Sequence, residues 1–288
     1  SNVIEIQMYL LKILNPSLLV TCNVQDIFPQ NALYIVAIRQ GIFYKALSAM
    51  QSYAYHHAAH IITISEDMQE ELVSLGVEKE KIQVVYNWSY QDAPYDAKTL
   101  NYTNVASYFE KDTFQVVYAG NIGRMQAVDV VLQAAAHLQG HSDIAFHIFG
   151  NGVHLEKLME LAQKMQLSSV QFHPLPKESD APSLYSAADV NIIPLAKHIY
   201  RTALPSKTAT CLACGKPVLF CLGEESRFAK RICSQGNGWL LPAEDGKKLA
   251  EAILHIKCGA WQKENALPYT SLFSQTENSR QYARIIES

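Results

Sequence analysis

The chain has 288 residues, 49% of them hydrophobic and 18% charged, enough for two cores in an ordinary soluble globular protein. A formal net charge of -3 and a pI near 6.4 exclude the broad basic footprint of a general nucleic-acid binder. The six cysteines are scattered, and neither a secretory pattern nor an apolar run of about 18 residues stands out, so a reducing cytoplasm is the expected setting.

Ile4 to Leu14 has helical spacing. The chain thus opens in mid-domain, and a first domain lacking its opening strands is expected. Ser17 to Asn23 reads as a buried strand, with Asp26-Ile27-Phe28-Pro29 as the loop at its carboxyl end, where ligands gather in open parallel sheets. Ile42 to Ala59 follows with helical spacing, then a strand over His60 to Ile64, a helix capped by Ser65 that runs to about Leu75, and a strand over Ile82 to Tyr86. His56, His57 and His60 read either as metal ligands or as the end of an amphipathic helix, and no carboxylate pattern accompanies them.

Asn87 to Asp112 is polar and without period, and reads as an interdomain connection. From Phe114 the pattern becomes regular. Strands are predicted over Phe114 to Ala119, Ile144 to Phe149, Val170 to Phe172, Val190 to Pro194, Val218 to Leu222 and Gly238 to Leu241, with helices between them. That alternation predicts an α/β, doubly wound parallel sheet. The predicted division is residues 1–90 as a partial first domain, 91–112 as linker, 113–260 as the second domain and 261–288 as a helical tail.

Two glycine-rich loops follow strands: Gly120-Asn121-Ile122-Gly123-Arg124, and Gly150-Asn151-Gly152. Each reads as a turn or as a ligand loop, and neither completes a dinucleotide or P-loop fingerprint. A third stretch, Leu204 to Pro217, predicts a helix that starts at Pro205 with Ser206 as cap and stops at Gly215, so that its N-terminus and Lys207 face an anion such as a phosphate. Cys211 and Cys214 lie within that helix and read as core rather than as half a zinc site or a redox pair.

Six ordered segments carry a resemblance: AAHIITISEDMQEEL with VVYNW downstream, VVYAGNIGRMQAVDVVLQAA, FHIFGNG, SLYSAADVNIIPL, LPSKTATCLACGKPVLF and GNGWLLP. Together they resemble a retaining, family-four type glycosyltransferase of the GT-B fold, in the subgroup of capsule, O-antigen and exopolysaccharide biosynthesis. The resemblance implies two Rossmann-like domains, the first incomplete here. It also implies a nucleoside-diphosphate sugar donor, usually a UDP-sugar, and transfer without a metal. The implied acceptor is a saccharide or a polyprenyl-linked saccharide, and the implied location is the cytoplasm, peripheral at the inner membrane face. Tyr44, Lys45, Tyr53 and Tyr55 are candidates for membrane contact, with packing in the helix core as the other reading.

Carried over by position, Lys207, Arg124 and Asp26 are the catalytic candidates. Gly120, Asn121, Gly123, Gly150, Asn151, Ser206 and Thr210 are the donor-binding candidates, and no residue is assigned to a metal. Ser65 and Asn87 are expected to fix loops. The family's two glutamates around this loop are replaced by Thr202 and Thr210, and the usual Arg and Lys of the first glycine loop by Asn121 and Gln126. A carboxylate gripping two ribose hydroxyls would contribute on the order of 1.5–3 kcal/mol more than a threonine. The departures therefore leave a second reading, a homologue that binds a nucleotide, glycan or protein without catalysis. A periplasmic-type binding module is a third, disfavoured by the free cysteines.

Overall fold

The computed structural model describes residues 14–15, 17–35, 37–89, 92–262 and 271–288. The helix expected over Ile4 to Leu14 lies, all but its last residue, outside them. The chain divides into two compact units. One holds the described residues up to Asn87 together with His198–Leu204 and Gln275–Ser288; the other holds Trp88–Lys197 and Pro205–Ser274.

In the first unit, β1 (Thr21–Val24), β2 (His60–Thr63) and β3 (Ile82–Val84) form a parallel sheet in that order, with Thr21 opposite His60 and Ile61 opposite Ile82. The run Ile61-Ile62-Thr63 is buried on both faces, as a central parallel strand must be. A short helix α1 (Gln30–Tyr34) and the long helix α2 (Ile42–His57) separate β1 from β2, and α3 (Glu66–Ser74) follows β2. Ser65 starts α3, its Oγ accepting from Met68 N–H at 3.1 Å, with Glu66 and Asp67 in the positive first turn. Tyr55 is a core residue here, 2% exposed, and Tyr53 stacks on the His57 ring at 3.9 Å. This removes Tyr55 from the membrane candidates, because its position on α2 faces the sheet rather than water.

In the second unit, β4 (Phe114–Ala119), β5 (Ile144–Phe149), β6 (Val170–His173), β7 (Val190–Pro194), β8 (Val218–Cys221) and β9 (Gly238–Leu241) form one parallel sheet ordered β6-β5-β4-β7-β8-β9. The helices are α4 (Asp129–His137), α5 (Leu155–Lys164), α6 (Ala181–Ala187), α7 (Thr208–Ala213), α8 (Arg227–Cys233) and α9 (Gly246–Lys257). All six residues of β5 are buried, five of them apolar and the sixth His147. The core joins Val116, Phe146 and Ile148 of the sheet to Val131 and Leu132 of α4 and Leu249 and Ile253 of α9.

Two segments depart from the expected division. Residues 92–112 are no linker but part of the second unit. Tyr95 N–H donates to Ala213 O at 2.8 Å, Tyr102 Oη to Ser186 Oγ at 3.1 Å, and the Tyr108 ring meets Phe149 edge-on at 5.1 Å. Irregular backbone can wrap a domain when side chains and carbonyls of that domain satisfy it, and periodicity carries no trace of this. The helical tail, α10 (Gln275–Glu287), belongs to the first unit: Ile285 packs with Ile62 and Val85, and Asn278 Nδ2 donates to Tyr86 O at 2.9 Å.

Candidate functional site

The strand order of the second unit reverses between β4 and β7, and in such sheets the crevice at the carboxyl ends of those two strands is where ligands sit. Here the crossover after β7 returns to the end of β4. Lys207 Nζ donates to Ala119 O at 2.8 Å and lies 3.7 Å from the centroid of the Tyr118 ring. Tyr118 is itself buried, and its hydroxyl donates to Asn121 O at 2.5 Å, which ties the first glycine loop to the same ring. Burial holds the Lys207 ammonium down to about 7 and raises the Tyr118 phenol above its ordinary value. Among the described residues no carboxylate pairs with Lys207. A cation brought into a half-buried site with a carbonyl and an aromatic face but no counter-ion favours an anionic guest.

The two glycine loops interlock. Ile122 N–H donates to Asn151 O at 2.8 Å, Gly120 N–H to Phe149 O at 2.9 Å, and Gly150 N–H to His173 O at 3.0 Å. A Cβ at Gly150 would lie 2.0 Å from Gly120 O, and one at Gly152 would lie 2.3 Å from Ile122 O; both glycines have φ near +155°. These glycines are therefore required by the approach of one loop to the other. Gln126 completes the fastening, its Oε1 accepting from Gly123 N–H at 3.1 Å and Asn121 Nδ2 at 3.3 Å. Asn151 Oδ1 accepts from Gly152 N–H at 2.8 Å, and both Asn121 and Asn151 are exposed on the loops.

The helix after Lys207 differs from expectation. It begins at Thr208, has Lys207 in the capping position with no side-chain cap, and spans only 6 residues. Ser206 is exposed and does not cap it; the first turn closes instead through Thr208, whose N–H and Oγ1 both bond Pro205 O. So short a helix sums few peptide dipoles, and the local positive charge rests on Lys207. Gly215, with φ of 62°, ends this segment as expected. Thr210 lies in α7 and is 7% exposed. Cys211 and Cys214 are buried, and burial raises both thiols, to about 12 for Cys214, which fits core packing rather than redox or zinc chemistry.

Arg124 opens a short 3₁₀ turn and lines a pocket of about 330 Å³ with Asp129, Gln133, His154, Lys157 and Glu244. None of the residues touching the Lys207 ammonium lines that pocket. Asp26 and Thr202 belong to the first unit. Asp26 bridges to Ala203, burial raising its carboxyl above the usual range. Thr202 is fully buried, its hydroxyl donating to Ile199 O at 3.1 Å and its carbonyl accepting from Ile27 N–H at 2.8 Å. Arg201 Nε meets Glu71 Oε2 at 2.9 Å, and Tyr34 Oη donates to Glu71 Oε1 at 3.2 Å, holding residues 198–204 within that unit. Asn87 Nδ2 donates to Gln25 Oε1 at 2.9 Å, a loop-fixing bond. His56 and His57 each turn Nδ1 to a backbone carbonyl four residues back, at 2.8 Å, the geometry of a helix end.

The structure thus gathers Lys207, Gly120 and Asn121 around Tyr118, and Gly123, Gly150 and Asn151 into the interlocked loops. Sequence reasoning missed Tyr118, whose only signal was its place two residues before the first glycine. It also missed the chain Gln115 Oε1, His147 Nε2 at 2.7 Å, and His147 Nδ1 to His173 Nε2 at 3.0 Å. Burial lowers His147 to about 4 and lowers His173 as well, so this chain is a neutral brace beneath the second loop. Alternate residues on β5 and β6 carry no chemical pattern that would pair them.

A family model described as glycosyl transferases group 1 matches residues 113–257, and one described as glycosyltransferase family 4 matches residues 8–88. The chain is 24% identical over 239 residues to a Pseudomonas aeruginosa protein named as the glycosyltransferase WbjE, covering 81% of this chain and 58% of that protein. It is 28% identical over 175 residues to an Escherichia coli protein named as the colanic acid biosynthesis glycosyl transferase WcaI, covering 58% of this chain and 42% of the relative. The chain thus spans about half the length of these relatives. Among solved structures, Anabaena Alr3699/HepE in complex with UDP and glucose covers all of the chain and 76% of its own, at TM-score 0.77 and 16% identity. Sucrose-phosphate synthase from Thermosynechococcus elongatus covers 98% of the chain and 71% of its own, at TM-score 0.76 and 15% identity. The α/β fold with two parallel sheets is the GT-B fold, and the chain belongs to the group 1 glycosyl transferases.

Proposed function

We propose that the protein transfers a sugar from a nucleoside-diphosphate donor, a UDP-sugar in the first instance, to a saccharide or lipid-linked acceptor in surface polysaccharide biosynthesis, with retention and without a metal. The observation that carries this reading is Lys207, a cation with no counter-ion among the described residues, held against Tyr118 and Ala119 O at the reversal of the sheet. In the proposed step the bond from the anomeric carbon to the diphosphate oxygen breaks and its electrons stay on that oxygen. Lys207 then stabilises the new charge. The acceptor hydroxyl bonds the same face of the sugar and gives its proton to the departing phosphate. Arg124 and Asp26 are proposed as further catalytic groups, with Gly120, Asn121, Gly123, Gly150, Asn151, Ser206 and Thr210 around the donor. The UDP and glucose bound by Alr3699/HepE make uridine the first base to test.

A thermal-shift series with UDP, GDP and ADP tests the donor site: UDP is expected to raise the unfolding temperature, and Lys207→Ala to abolish the rise. No shift with any of the three would remove the reading. The threonines at 202 and 210, where the family carries carboxylates, favour the second reading, nucleotide binding without transfer; UDP protection with no release of UDP from any UDP-sugar, whatever saccharide is supplied, would select it.

A further inference from the structure

Gln115, His147 and His173 settle one another's protons. Both protons of Gln115 Nε2 are used, on Glu110 O at 2.8 Å and on Thr113 O at 3.1 Å, so its Oε1 can only accept. His147 Nε2, 2.7 Å from that oxygen, therefore carries the ring proton, and His147 Nδ1 is bare. The bare nitrogen accepts from His173 Nε2 at 3.0 Å, which leaves neutral His173 with a bare Nδ1 in its turn. Gln115 and His147 are buried and His173 is half-buried. Among the described residues nothing bonds His173 Nδ1. The sheet fixes where this nitrogen lies. Ala119, Phe149 and His173 are partners in one row across the carboxyl ends of β4, β5 and β6, and Lys207 Nζ sits on Ala119 O. Two strand spacings put His173 about 10 Å from Ala119, a span that a ribose and a base fill when the phosphates lie at Lys207. The His173 ring stacks on Phe149 at 4.5 Å, and its carbonyl accepts from Gly150 N–H of the second glycine loop at 3.0 Å.

We infer that His173 is the residue that selects the donor's base, its Nδ1 accepting the N3–H of uracil. A nitrogen that can only accept sorts bases by the ring nitrogen of their pairing edge. Uracil and guanine carry a proton there, whereas cytosine and adenine carry a lone pair that repels it. Cytosine has the size of uracil, so the pair isolates the hydrogen bond from the shape of the site. Gln115 and His147 are positioning residues, acting through the tautomer they impose on His173. The inference rests on the reading of a nucleoside-diphosphate donor held at Lys207, and gives that reading a residue for base choice.

Calorimetric titration of the full chain with UDP, CDP and 3-methyl-UDP, in which a methyl group replaces the N3 proton, tests the inference. Wild type is expected to bind UDP about tenfold more tightly than either analogue, and His173→Phe to bind all three within about twofold of one another. Nitrogen-15 spectra of the unliganded wild type should show the ring proton on Nε2 of both His147 and His173, a signature of the tautomers that folding alone does not set. Three matters decide against the inference while leaving UDP binding intact: equal affinity of wild type for the three nucleotides, a preference for UDP that persists in His173→Phe, or the opposite tautomers. A wild type that binds no UDP overturns the inference and the donor reading together.

Discussion

At the scale of single residues the site reduces to one lysine and what surrounds it. Burial holds Lys207 near 7 when no ligand is bound, and a diphosphate beside it must raise that value, because an opposite charge favours the protonated form. The sign follows from linkage. UDP binding at the proposed site is therefore expected to be at full strength below pH 7, where the unliganded lysine is already charged, and to weaken up to tenfold per pH unit from about 7 to the higher pKa of the complex. Calorimetric titration with UDP between pH 6 and 9 should show this decline, and Lys207→Arg should flatten it; a level wild-type profile would exclude Lys207 as the charge contact. The same lysine costs the unliganded fold stability. Below pH 7 the charged form is held with no counter-ion among the described residues, and the cost is relieved as pH rises from about 7 toward 10.5. Lys207→Met is therefore expected to unfold at a higher temperature than wild type at pH 6, with the gap narrowing by pH 9, while losing UDP protection throughout.

Two elements depend most on distant contacts, the interlocked glycine loops of the second unit and the segment from His198 to Leu204 of the first. The sequence singled out the glycines but left their purpose open between turn and ligand loop. The structure assigns Gly150 to loop contact, since its added Cβ would meet Gly120 O at 2.0 Å. Gly150→Ala is expected to cost about 3 kcal/mol or more in urea unfolding, from steric overlap and a strained φ. Gly140→Ala, with nothing within 4 Å of its added Cβ, should be neutral or stabilise by up to about 1 kcal/mol. Equal effects at the two positions would refute the interlock. In the other element, Arg201→Ala leaves the Glu71 carboxylate buried with Tyr34 alone, which predicts a loss of about 1–3 kcal/mol in the same measurement. Nothing local in the sequence reveals that pair, because its partners are separated by most of the second unit.

For the whole molecule, α10 carries the chain from the second unit back to the first sheet. Deleting residues 275–288 removes Ile285 from Ile62 and Val85 and the Asn278 bond to Tyr86, at a cost on the order of 2 kcal/mol. Hydrogen exchange should then speed up at Ile61 to Thr63 while UDP protection persists; unchanged exchange would contradict the packing. The sequence by itself determined every strand of the second sheet to within a residue, because each is a short, mostly apolar run set off from helical spacing by loop residues. It likewise located Ser65 as a cap, since capping is local chemistry. Tertiary structure alone decided that residues 92–112 wrap the second unit and that Thr202 spends its hydroxyl on its own backbone. It also decided that Ser206 stays outside the helix and that Tyr118 lies beneath the lysine. Each of these depends on which distant groups satisfy a polar atom or cover an apolar one, and neither spacing nor composition encodes that.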